Sequence, residues 1–175
     1  LAFFFTGAQY AVPGALFAEI TKQLNISTAE MSVIYSVGEV SIGLSALLTG
    51  FIVDHQSTKK HSHILLSILG ILSGIAYFGM IYINSYWLML LDWIIISSTL
   101  GAIECAVVVY LYRITSNERS SFIITINFVL MGVGSVLTSQ FITISISYLP
   151  GHNYAFALDS MSITVFIFSI ITLIL

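Results

Sequence analysis

Charge is what this chain has least of. Asp, Glu, Lys and Arg together make up 7% of its 175 residues, against about a quarter in a water-soluble domain. With 58% of the residues hydrophobic, too little polar surface is left to cover a core in water, so an integral membrane protein is expected. Lys and Arg number five and are scattered, so there is no basic patch for nucleic acid. The single cysteine, Cys105, rules out an intrachain disulfide and leaves the redox compartment open. There are only two prolines, and long runs between them are free to be helical. No HExxH, nucleophile elbow or phosphate-binding loop occurs, and neither enzymatic chemistry nor a cofactor is expected. His55, His61 and His63 cluster, but with no carboxylate near them except Asp54 they are not expected to hold a metal.

What is present is six apolar runs. Their limits predict an all-α polytopic protein with transmembrane helices at about 1–19, 28–53, 63–82, 86–112, 121–147 and 154–175. Pro13-Gly14 is expected to interrupt the first. Ser27 and Glu30 have the form of a capping box that starts the second. Gly70 and Gly74 have the spacing that lets two membrane helices approach closely. Counting Lys and Arg through the five connections gives 1, 2, 0, 2 and 0. Positive loops stay inside, so the second and fourth connections are expected in the cytoplasm and the other three outside. Asn25-Ile26-Ser27, a glycosylation acceptor pattern, then falls outside. Both ends of the chain lie within apolar runs, and a longer protein is expected. The membrane concerned, plasma or internal, is left open.

Two carboxylates sit deep in this apolar sequence, Glu39 in the second run and Glu104 in the fourth. A charged side chain at the bilayer centre costs roughly 2.5–3.5 kcal/mol on insertion scales, so such residues face a partner or a cavity. Glu39 shares a stripe with Ser32, Tyr35, Ser36, Gly43, Ala46 and Gly50 at helical spacing, small and polar enough to face protein or water. Ser97 and Gly101 precede Glu104 on its own face. No Lys or Arg lies at that depth. A carboxyl there can take up a proton from one side and release it to the other, or it can stay neutral and bond to a backbone carbonyl. Gln9, Tyr10 and Asn127 are the remaining candidates for lining a polar pathway, with interhelical hydrogen bonds as the alternative. Asp92 and Asp159 lie nearer the helix ends, and a structural role is expected for both.

Gly50, Asp54, Lys59 and Lys60 have the register of the loop between helices 2 and 3 of the major facilitator superfamily, which this chain resembles. His55 stands where a fixed cation is usual and Ser57 where glycine is usual. The resemblance implies the six-helix half of a carrier, built from two three-helix repeats of inverted topology, with a second six-helix half beyond this sequence. It implies a gating role for Asp54, which in the family meets the positive end of a helix in the other half. Gly101-Ala-Ile-Glu104, Asn117-Glu118-Arg119 and Phe128 to Gly134 are similar to helices 4 and 5 of the fucose-permease branch and of the sodium-dependent glucose transporter-like proteins. There the helix-4 acid is implicated in sugar recognition and cation coupling, which implies that role for Glu104. Cys105 and Val108 depart from that branch, as does Phe128, where an amide suits a sugar.

The expected function is therefore alternating-access transport of a small polar solute, a sugar by the branch resemblance, coupled to H+ or Na+. A transporter-derived sensor or scaffold without transport is the second reading. A receptor or channel is the third, disfavoured by the very short outer turns.

Overall fold

The computed structural model describes residues 2–55, 59–115, 117–148 and 154–174, with the side chains of 2, 3, 5, 54, 55, 59–63, 114, 117, 118, 120, 154, 173 and 174 left out of the description. These residues form α1 (Ala2–Leu24), α2 (Thr28–His55), α3 (Lys59–Gly79) with a 3-10 turn at Met80–Tyr82, α4 (Tyr86–Ile114), α5 (Asn117–Tyr148) and α6 (Tyr154–Ile174). No strand occurs among them. Five helices, α2 to α6, contain spans long and apolar enough to cross a membrane. That is the make-up of a multi-pass membrane protein.

Four helices, α1, α2, α4 and α5, end later than the apolar runs predict, and in α1 the reason is local. The helix continues beyond Glu19 to Leu24, where Asn25 turns left-handed at φ 51°. The Ile26 N–H donates to the Thr21 carbonyl at 3.2 Å and the Asn25 N–H to the Lys22 carbonyl at 3.3 Å. This is a Schellman C-cap, which asparagine tolerates better than most residues with a Cβ. Polarity alone put the end at the first hydrophilic residue, whereas backbone satisfaction put it at the first residue able to adopt positive φ. The capping box then starts α2: the Glu30 N–H donates to Ser27 Oγ at 3.2 Å and the Ser27 N–H to Glu30 Oε2 at 2.7 Å. Ser85 caps α4 by accepting from the Leu88 N–H at 3.3 Å. The expected basic loop at 113–120 is largely helical, since α4 continues through Ile114 and α5 begins at Asn117.

Pro13 does not break α1, contrary to expectation. A proline has no N–H to give the carbonyl four residues back, which here belongs to Gln9. The fully buried Tyr77 of α3 donates its hydroxyl to that carbonyl at 3.3 Å. A neighbouring helix thus meets the group that the proline leaves unpaired, as membrane helices require.

The bundle is dominated by three helix pairs: α1 with α5, α2 with α4, and α3 with α6, while α3 also packs on α4. If helices 1, 2, 3 are exchanged with 4, 5, 6, the first pair becomes the second and the third is unchanged. Glycines close each pair. A methyl group on Gly7 would collide with the Met131 carbonyl of α5, and one on Gly134 with the Phe4 carbonyl of α1. In the second pair Gly101 abuts the Ile42 carbonyl and Gly38 abuts Trp93 and Ser97. In the third, Gly70 and Gly74 pack on Ser169 and Phe166, and Ser162 donates to the Gly74 carbonyl at 2.8 Å.

One buried cluster joins all six helices through residues such as Leu16, Ile34, Tyr77, Trp93, Ile142 and Leu158. A smaller one, around Val53, Leu66, Ile103 and Ala106, joins the far ends of α2, α3 and α4. At that end Arg113 donates to the Val53 carbonyl at 2.7 Å, tying the last turn of α4 to that of α2.

Candidate functional site

A cavity of about 40 Å³ lies among α1, α2, α3 and α4, lined by Glu39 and by Tyr10, the hydrogen-bond partner of Glu104. Tyr10 of α1 donates its hydroxyl to Glu104 Oε2 of α4 at 3.0 Å. Glu39 of α2 lines the cavity and is close enough to act electrostatically on the same phenol. Residues 10, 39 and 104 come from three different helices, so no short sequence window contains the group. What brings them together is the close α2/α4 crossing at Gly38 and Gly101, one residue before Glu39 and three before Glu104.

Gln9 is also at the cavity, but it is 4% exposed and tied to α3 through both its oxygens. Ser73 donates to its side-chain oxygen at 3.2 Å, and Tyr77 to its backbone carbonyl. Its interhelical role is therefore explicit. Ser97 lines the cavity at 2% exposure. Above the cavity an aromatic group holds α1, α2 and α4 together. Tyr35 donates to the Pro13 carbonyl, stacks on Phe17 at 5.4 Å and meets Trp93 edge-on at 5.4 Å.

The remaining candidates fall elsewhere. The Asn127 amide donates to the Ile123 carbonyl of its own helix at 2.7 Å, so α5 keeps that side chain to itself. The small-residue stripe on α2 meets α4 only in part, through Tyr35 against Trp93 and Gly50 against Cys105. The closest approach is made by Gly38, Ile42 and Ser45, while Ser32, Ser36, Glu39 and Gly43 are exposed. Of the expected gating residues, Gly50 lies half-buried opposite Cys105. The side chains of Asp54, Lys59 and Lys60, and those of His55, His61 and His63, lie outside the described residues. Asn25 is exposed in its left-handed turn. Asp92 does not line the cavity, and its Oδ2 is enclosed without a hydrogen-bond partner among the described residues.

Two open grooves continue from Glu104 along α2 and α4. One of about 250 Å³ is lined by Ala46, Gly101, Glu104, Cys105, Val108 and Val109. The next, of about 480 Å³, shares Ala46 and Cys105 with it and extends to Gly50 and Phe51. Glu104 is the single polar side chain in the first of these.

Tyr77 and Ser73 were not singled out by sequence reasoning, and Pro13 was read only as a break. A signal for Tyr77 was there: a proline inside an apolar run implies a donor elsewhere for the carbonyl four residues before it. Compared with known protein families, with curated proteins and with solved structures, the chain matches none.

Proposed function

We propose that this chain is the six-helix half of a facilitator-type secondary carrier, and that Glu104 is the ionisable group on its transport path. The observation that carries the reading is the Tyr10–Glu104 pair beside Glu39, on a face that opens out of the bundle. An exposed carboxylate on a membrane helix costs too much to face lipid. A water-filled path closed by a second bundle removes that cost.

The packing supports the same reading. In this reading α1 crosses with the five apolar spans, so each set of three helices crosses the membrane an odd number of times and two copies of one three-helix unit run in opposite senses. The exchange symmetry of the α1/α5, α2/α4 and α3/α6 pairs is what inverted repeats produce. Close glycine crossings leave each pair a stiff unit able to rock against its neighbours. The register of Gly50, Asp54, Lys59 and Lys60 agrees with a gating loop between α2 and α3.

In this scheme Glu104 binds the coupling ion or a charged solute, and Tyr10 reports that event to α1. Protonating the carboxyl, or pairing it with a cation, removes the charge that makes the Tyr10 hydrogen bond strong. The contact between α1 and α4 loosens as a result. The test is uptake by the full-length protein in liposomes. Glu104→Gln should abolish uptake driven by a pH gradient while leaving the protein folded in the membrane. Unchanged pH-driven uptake would remove Glu104 from the path.

A further inference from the structure

The grooves beside Glu104 have the wrong lining for a sugar, the solute that the branch resemblance implies. A sugar carries several hydroxyls, and each one buried without a partner weakens binding by roughly tenfold or more. The groove of about 250 Å³ offers one polar side chain, Glu104, among Ala46, Gly101, Cys105, Val108 and Val109. The adjoining groove adds only Gly43, Leu47, Gly50 and Phe51. The enclosed cavity has more polar side chains, Gln9, Tyr10, Glu39 and Ser97 among them, but at about 40 Å³ it has room for a water or two or for one small headgroup.

The charge at this place is one-sided. Glu39 lines the enclosed cavity and Glu104 the groove, with Tyr10 within electrostatic reach of both, and neither forms an ion pair among the described residues. All five Lys and Arg residues lie near helix ends. Ser97, 2% exposed at the cavity wall, supplies a further acceptor. The rings of Tyr10 and Trp93 complete the lining, and aromatic faces attract cations.

Resting on the carrier reading above, we propose that the solute is a small amphiphilic organic cation. Its ammonium group sits against Glu104, Glu39 and Ser97, and its apolar body lies along the α2/α4 groove. A protonated amine satisfies the carboxylates available and asks nothing of the apolar wall.

The experiment is thermal unfolding of the purified full-length protein with four probes: 2-phenylethylammonium chloride, 2-phenylethanol, glucose and sodium chloride. The amine and the alcohol share a body and differ in charge. The ammonium should raise the unfolding temperature in a saturable way, whereas the alcohol and glucose should not at equal concentration. Glu104→Gln should weaken the apparent affinity for the ammonium at least tenfold, and Glu104→Asp should retain most of it. Ala46→Phe, which fills the groove and leaves the charge alone, should also lose the response and keeps the test valid if Glu104→Gln does not fold. Equal stabilisation by the alcohol, a response to glucose but not to the ammonium, or a response to sodium alone would each overturn the proposal. Liposome uptake separates this from the carrier reading. Ammonium binding without uptake removes transport and leaves the cation site standing. Glucose uptake without ammonium binding keeps transport and removes the cation.

Discussion

Replacing Tyr77 with phenylalanine deletes one oxygen atom from the middle of the bundle, and the cost of that deletion should depend on a residue in another helix. In the native protein the Tyr77 hydroxyl donates to the Gln9 carbonyl, which lacks an intrahelical partner because residue 13 is proline. The 3.3 Å separation is long for an O–H···O bond, whose usual distance is about 2.7–2.8 Å. An unsatisfied buried acceptor costs about 1–3 kcal/mol, and measured interhelical hydrogen bonds in membranes average about 0.6 with a maximum near 1.7. Tyr77→Phe alone should therefore destabilise by about 1 kcal/mol. Pro13→Ala restores an N–H at residue 13 that can bond to Gln9 within the helix. In that background Tyr77→Phe should cost little, and the coupling between the two changes should approach the full 1 kcal/mol. Equilibrium unfolding of the full-length protein in mixed micelles, across wild type, both single variants and the double variant, measures it. If Tyr77→Phe costs the same to within about 0.3 kcal/mol with proline or alanine at 13, the hydroxyl is not replacing the missing N–H and the reasoning fails.

Gly101→Ala places a methyl group against the Ile42 backbone, so the α2/α4 pair must separate; a loss of about 1–3 kcal/mol is expected. Gly132→Ala, with nothing within 4 Å, should have the opposite sign, gaining up to about 1 kcal/mol from helix propensity. The same unfolding assay reads both, and equal effects would refute the close-crossing argument. For orientation, cysteines placed at Lys60 and at Asn153 in a Cys105→Ser background should react with an impermeant thiol reagent from opposite sides of the membrane. Labelling from the same side would overturn the topology.

Sequence alone was enough for whatever depends on local composition. Six apolar runs separated by short polar stretches dictate helices, because in lipid every backbone group must be paired within its own segment. The capping box at Ser27 and Glu30 was readable for the same reason, since both partners lie within one turn. Helix ends were less readable: Asn25 stops α1 through its backbone angle, and the polarity of the residues before it misled. Glu39 and Glu104 stood out because charge is rare here, and Gly70 and Gly74 because they share a four-residue spacing. The other close crossings pair single glycines across distant helices, Gly7 with α5 and Gly101 with α2, and leave no spacing to read. Only the tertiary structure could decide that Tyr10 reaches Glu104 across 94 positions of sequence while Asn127 turns back on its own helix. Hydrophobicity chooses the helices and is nearly indifferent to how they are paired, because lipid is as apolar as their side chains. That pairing depends on where backbones can touch and where stray carbonyls find donors, and both are properties of the assembled bundle.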